Sequence, residues 1–233
     1  EVVVESGLEI KDMFLGSAAS ARSVLDSQEK ELGVAVVDLG AATTSVSVFE
    51  EGEMIHTAVI PIGMQNVRND IAIGLRVSIE AAQKILEELG SHILGEASNR
   101  RKAIDTSRGE EVTFKEKDLK EIAKARVEEI FELVEKELDE IERSGLLPGG
   151  IVLTGGGAKM DHLVKFVKEK SELPVRVGAP SDFYPSQEDP SLSTVCGLVK
   201  LGLEMERGEG FMNFDFNSGI SKKLKKIFRI FIP

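Results

Sequence analysis

The chain has 233 residues, 29 basic and 40 acidic side chains, a net charge of −11 and 42% hydrophobic residues, a globular composition long enough for one large domain or two ordinary ones. The acidic balance argues against broad nucleic-acid binding, and no apolar run approaches the roughly 18 residues of a membrane span. The single Cys196 excludes a disulfide framework and suits a reducing cytoplasm, while three scattered histidines (His56, His92, His162) argue against a His-built metal cluster.

The chain opens at Glu1-Val-Val-Val4, inside an apolar run without an initiator Met or a signal-peptide flank, and reads as a cut edge within a larger protein. Residues 8 to 32 read as mostly helical, with Asp26 and Glu29 spaced as a capping box before Gly33. Then the period changes. Val34-Ala-Val-Val-Asp38 is a buried-strand pattern, Thr44 to Phe49 alternates, and Met54 to Ile60 is a third β run; turns at Gly40 and Gly52 make an antiparallel meander. A helical pattern follows from about Val67 to Leu89 and stops at Gly90. Residues 91 to 112 are polar and read as loop or weak strand.

From about Lys117 to Arg143 the pattern is clearly helical, with Leu119, Ile122, Ala123, Val127, Ile130, Phe131, Val134, Leu138 and Ile141 on one face. Pro148-Gly-Gly ends it. Ile151 to Thr154 is a short buried strand running into Gly155-Gly-Gly157, followed by a predicted helix over about 158–170. Val175 to Val177 is another strand, Pro180 to Pro190 a loop, and Thr194 to Glu206 a last body helix. Residues 207–218 form a Gly/Asn/Phe linker. This order of strands and helices indicates an α/β protein.

Two segments have the composition of a phosphate and nucleoside site. Asp38-Leu-Gly-Ala-Ala-Thr-Thr44 ends a strand in a carboxylate and turns through Gly40 and Ala41, exposing backbone amides able to cradle phosphate oxygens. The Thr43 and Thr44 hydroxyls add donors, and Asp38 can hold magnesium through water. Alone, the segment is equally a β-hairpin with an Asx-type turn. Gly155-Gly-Gly157, between a strand and a helix, lets a flat nucleoside approach the backbone; alone it is also a plain strand–helix turn, and it lacks the dinucleotide G-x-G-x-x-G spacing.

Together, in this order and about 115 residues apart, the two segments resemble the second phosphate motif and the adenosine motif of the actin-like ATPases. Glu29-Lys-Glu-Leu-Gly33, Ile60-Pro-Ile-Gly63, Asn69-Asp-Ile-Ala72, Ala125 to Phe131, Val152 to Ala158 and Thr194-Val-Cys-Gly197 narrow the resemblance to the bacterial FtsA cell-division family. The resemblance implies an actin-like second lobe, built on a ribonuclease-H-type sheet, with a small inserted α/β subdomain and a C-terminal amphipathic helix. It assigns residues 1–33 to a remnant of the first lobe and the crossover, and 34–69 with 149–206 to a nucleotide-facing subdomain. Residues 70–148 become the inserted subdomain, 207–218 the linker and 219–233 the membrane-targeting helix. The first lobe and its phosphate motif lie outside this sequence, so ATP would meet one wall of its cleft.

By the same resemblance Asp38, Gly40, Ala41, Thr43 and Thr44 face phosphate, with magnesium at Asp38 through water. Gly155, Gly156, Gly157 and Lys159 receive the adenosine, and the helix carrying Glu80, Gln83 and Lys84 contacts the ribose. Three positions depart from the family pattern. Met64 and Arg68 stand where the family usually has Gly and a hydroxyl residue, and Gln83 replaces Glu, a change worth about 1 kcal/mol in a ribose hydrogen bond. No residue is an evident catalytic base, so the expectation is ATP binding with at most weak hydrolysis. The implied partners are the tail of the tubulin-like FtsZ, met by Arg126, with further copies in filaments of the intact protein, other division proteins and anionic lipid. Nucleic acid is not among them. The implied location is the cytoplasmic face of the cell membrane at the division site. An active actin-like ATPase and the related pilus-assembly scaffold PilM stay open as alternatives.

The last fifteen residues stand apart. They carry Lys222, Lys223, Lys225, Lys226 and Arg229 and no acid, which leaves −16 on the preceding 218 residues. At about 100° per residue, Ile220, Leu224, Ile227, Phe228 and Phe231 share one face and the cations the other, the pattern of a helix lying in a membrane interface. Five cations near an anionic leaflet contribute at most about 5 kcal/mol. A partner-binding or core helix has the same apolar stripe, but a core helix rarely carries five cations.

Overall fold

The computed structural model describes residues 2–96, 98–105, 111–181 and 188–206. A short helix α1 (Val2–Glu5) is followed by an extended stretch, then α2 (Gly16–Val24) and α3 (Ser27–Leu32). The helical reading of residues 8–32 is therefore too generous at its start. Asp26 and Glu29 do form a reciprocal capping box, each side chain accepting from the other's backbone N–H, and this box separates α3 from α2.

The meander is β1 (Val34–Leu39), β2 (Thr44–Glu50) and β3 (Glu53–Ile60). Helices α4 (Met64–Leu75) and α5 (Ile79–Leu89) replace the single predicted helix. The chain breaks at Arg76, which is left-handed at φ 56°, and Ser78 then caps α5 by accepting from the Ala81 N–H. Apolar spacing runs on through both helices, so the break is invisible to periodicity. Strands β4 (Arg101–Asp105) and β5 (Glu111–Lys115) form an antiparallel pair where only loop or weak strand is expected, burying Ile104 and Phe114. The long helix is α6 (Glu116–Glu140), and seven residues of its predicted stripe are buried. After β6 (Gly150–Thr154), residues Gly156–Lys159 make a 3₁₀ turn, and α7 (Leu163–Ser171) begins later than predicted, beyond a left-handed His162. Strand β7 (Val175–Val177) and helix α8 (Ser193–Glu206) complete the described chain.

The five-stranded sheet has the order β3-β2-β1-β6-β7, with β1, β6 and β7 mutually parallel. Alternation along β1 sends Ala35, Val37 and Leu39 into a large core shared with α4, α6 and α7, and Val34 and Val36 into a smaller one with Ala21, Val24 and Leu25. Both faces are covered, which is why β1 reads as a continuous apolar run.

Helices α2 and α8 lie unusually close. A Cβ on Gly197 would sit 1.8 Å from the Ala19 carbonyl oxygen, so only glycine allows this backbone approach. Gly197→Val is therefore expected to force α8 off α2 and cost about 2–3 kcal/mol. Gly202→Ala, where an added Cβ meets nothing within 4 Å, should be neutral or stabilising by about 1 kcal/mol. Urea midpoints of the two variants against the parent chain check this contrast.

Candidate functional site

Parallel pairing of β1 with β6 sets Asp38 beside Thr154, so both strands end at the same edge of the sheet. Beyond Asp38 the chain turns sharply, the Gly40 N–H donating to the Thr43 carbonyl at 2.9 Å, with Ala41, Ala42 and Thr43 exposed. The first amides of α4 hold this turn from behind, Met64 donating to Gly40 O at 3.0 Å and Gln65 to Ala41 O at 2.8 Å. Gly63 makes that approach possible, since a Cβ there would lie 2.6 Å from Ala41 O and 2.7 Å from Thr43 N. Thr44 has a different position. It is buried in β2 and its hydroxyl donates to Ile62 O at 2.8 Å, so that group is spent on the fold.

The three glycines after β6 divide into two roles. Gly155 has φ 81°, and a Cβ on it would fall 2.4 Å from Asp38 Oδ1; one on Gly157 would fall 2.7 Å from Leu39 Cβ and 2.9 Å from Met64 Sδ. Those two are required by packing. Gly156 is exposed, with nothing within 4 Å of an added Cβ, and is the open point of the turn. Lys159 closes the far side with an ion pair to Asp189 at 2.6 Å.

Asp38 is held from below. Its Oδ2 accepts from Ser20 Oγ at 2.6 Å and from Thr194 Oγ1 at 3.2 Å, and the two hydroxyls are 2.8 Å apart. Sequence reasoning missed Ser20 and Thr194, because their nearness to Asp38 exists only once α2 packs on α8. Asp38 is a lone carboxylate as a cation ligand: among the described residues no three His, Cys, Asp or Glu side chains gather. Magnesium at such a place takes most of its oxygens from phosphate and water. The exposed turn, the cradle at Gly155–Gly157 and the fixed carboxylate fit a nucleotide with its ion.

The remaining candidates lie on α5, on α6 and in the last fifteen residues. Glu80 occupies the first turn of α5, exposed. Gln83 donates to Glu87 Oε1 at 3.0 Å, and Lys84 reaches the Asp105 carbonyl and Glu88, so both are engaged along α5 and with β4. Arg126 is half-buried and internally paired. Its Nε donates to Asp70 Oδ2 at 2.6 Å and its Nη2 to Oδ1 at 3.1 Å, with Glu129 alongside, and the Asp70 bonds raise its pKa further. The tail residues Ile220, Lys222, Lys223, Leu224, Lys225, Lys226, Ile227, Phe228, Arg229 and Phe231 lie outside the described residues.

Lys159, with Ser191 donating from both Oγ and backbone, draws the Asp189 carboxyl from an ordinary 3.8 down to about 2. A depressed carboxylate stabilises the folded chain above its unfolded pKa, and that contribution is lost as pH falls through the folded one. Asp189→Asn should therefore unfold at lower urea than the parent near neutral pH, the two converging between about pH 4 and pH 2. Denaturation curves across that window provide the check, and a constant offset would contradict it.

The sequence model of a family described as "Cell division protein FtsA" matches residues 35–197. The FtsA of Bacillus subtilis (strain 168) is 37% identical over 210 residues, covering 89% of this chain and 47% of that protein. The FtsA of Pseudomonas aeruginosa is 38% identical over 205 residues, covering 86% of this chain and 49% of its own length. The chain thus spans about half the length of the curated relatives it matches. Among solved structures, MreB5 of Spiroplasma citri bound to ADP superposes with a TM-score of 0.73 at 19% identity, covering 90% of this chain and 65% of that one. At that identity the likeness establishes an actin-like fold and nothing finer.

Proposed function

Since the chain belongs to the FtsA family of cell-division proteins, we propose that its strand-end site binds ATP with magnesium and that the whole protein couples this binding to division-ring assembly at the membrane. One observation carries the nucleotide reading: two segments about 115 residues apart meet at one sheet edge, the carboxylate of Asp38 directly against Gly155. In this reading the exposed Ala41 and Thr43 present backbone donors to the phosphates, the Gly40 N–H closing the turn on the Thr43 carbonyl, and Gly156 gives the adenosine access to the backbone. Asp38, oriented by Ser20 and Thr194, would hold a magnesium ion through water, and that ion would supply charge neutralisation of the phosphates. Lys159 and the α5 residues Glu80, Gln83 and Lys84 border the nucleoside end. The role in this reading is a binding switch, with the body as an adaptor for the FtsZ tail.

Gly156 tests the nucleotide reading cleanly, because a Cβ added there meets nothing within 4 Å. Gly156→Val should fold with an unchanged melting temperature and lose ATP binding measured by calorimetry or amide chemical shifts. Gly157→Val should instead unfold readily, since its Cβ collides with Leu39 and Met64. Saturable ATP binding that survives Gly156→Val intact would sink the assignment of this turn.

For membrane attachment, the proposal rests on the +5 segment from Gly219 to Pro233 following a body of −16. Removing residues 219–233 should abolish co-sedimentation with vesicles containing anionic lipid, and raised salt should weaken binding of the full chain. Unchanged sedimentation of the shortened chain would transfer membrane binding to the body.

A further inference from the structure

A single cation sits on the core side of α4 without an acidic partner. At 100° per residue, Met64, Arg68, Ile71, Ala72 and Leu75 fall on one side of that helix. Ile71 and Ala72 are buried, and Met64 and Leu75 pack against the main core. Arg68 is the only charged residue in the set. Its Nε is buried with no hydrogen-bond partner, and its Nη2 reaches only Asn69 Oδ1, at a long 3.4 Å. The nearby carboxylate of Asp70 is already taken, at two points, by Arg126. Among the described residues Arg68 joins no ion pair. A guanidinium half-withdrawn from water, its Nε buried without a counter-charge, is costly, and native structures rarely retain one without a use.

Its position in the fold suggests the use. Met64, one turn earlier on the same side of α4, lies with its Sδ 2.9 Å from where a Gly157 Cβ would be. Helical side chains lean toward the N-terminus of their helix, which for Arg68 is the end that abuts both the Gly40–Thr43 turn and the Gly155–Gly157 turn. A planar fork of donors entering there is suited to phosphate oxygens, which it can bind at two points.

We infer that Arg68 is a phosphate ligand of the strand-end site, reaching the nucleotide's phosphate chain from the α4 side; the inference rests on the nucleotide reading above. The bound phosphates supply the counter-charge that the fold withholds, and the waiting cation in turn raises affinity for the charged end of the ligand. Adenosine, which has no phosphate, gains nothing from it.

The test uses the full 233-residue chain with ATP, ADP and adenosine as probes, in calorimetry and thermal unfolding. Arg68→Met keeps the length and removes the charge; Arg68→Lys keeps a charge without the fork. Arg68→Met should lose about tenfold or more in affinity for ATP and ADP, leave adenosine unchanged, and melt no lower than the parent without ligand. Arg68→Lys should fall between the two. An unchanged ATP affinity, an equal loss for adenosine, or a clear fall in the ligand-free melting temperature would each overturn the inference. If the parent chain binds neither ATP nor adenosine, the nucleotide reading fails and this inference with it. If the parent binds ATP and Arg68→Met binds it equally well, only the inference fails.

Discussion

The pairing of β1 with β6 is the constraint on which the rest of the molecule depends. Parallel neighbours cannot be joined by a tight turn, so the chain makes a long excursion through β2, β3, α4, α5, the β4–β5 pair and α6 before returning. The return closes on glycine. The Gly149 N–H donates to Gly33 O at 2.7 Å, and a Cβ on Gly150 would stand 2.0 Å from the Pro174 carbonyl oxygen. The resulting register sets Asp38 opposite Thr154 and Gly155 against its carboxylate. A slip of one residue would turn Asp38 into the apolar core and undo the site.

The two faces of the sheet then do different work. One is apolar and takes α4, α6 and α7 in a core that runs on to Ile104 and Phe114 of the β4–β5 pair. The other carries small polar residues where α2 and α8 close on the strand ends. There Thr154, Ser193, Ser23, Ser20 and Thr194 bond to one another or to carbonyls, with Thr154 and Ser193 hydroxyls 2.5 Å apart. Small side chains permit the close helix contact at Gly197, and their hydroxyls satisfy one another in the space that remains. Asp38 is the point where this polar layer reaches the surface, so its orientation is inherited from a helix pair at some distance in sequence.

Charge on the body is largely used to tie elements together. Arg126 joins α6 to α4, Arg143 joins the end of α6 to Glu50 of β2, Arg176 of β7 reaches Glu29 of α3, and Lys170 of α7 meets Glu128 of α6. Exposed pairs of this kind contribute little each, though the two-point Arg126–Asp70 pair is better organised than most. An acidic peptide approaching Arg126 therefore meets a cation already matched, and has to displace Asp70 or share it. Arg68 differs from these because, among the described residues, it joins no ion pair.

By itself the amino-acid sequence determined the five strands of the main sheet, the α6 stripe, the Asp26–Glu29 cap, the family and the split between an acidic body and a basic end. Each of these follows from local periodicity, from capping spacing or from contiguous motif residues, and needs no knowledge of what packs where. Tertiary structure alone decided the break at Arg76 and the late start of α7, where an apolar pattern continued across a change of chain direction. It alone divided the three glycines into two that packing demands and one that stays open, and it committed Thr44 to Ile62 and Arg126 to Asp70. It brought Ser20 and Thr194 to Asp38 and left the Arg68 Nε buried without a hydrogen-bond partner. These are relations between residues far apart in sequence, and a sequence pattern, which reports only nearest neighbours along a helix or strand, cannot express them.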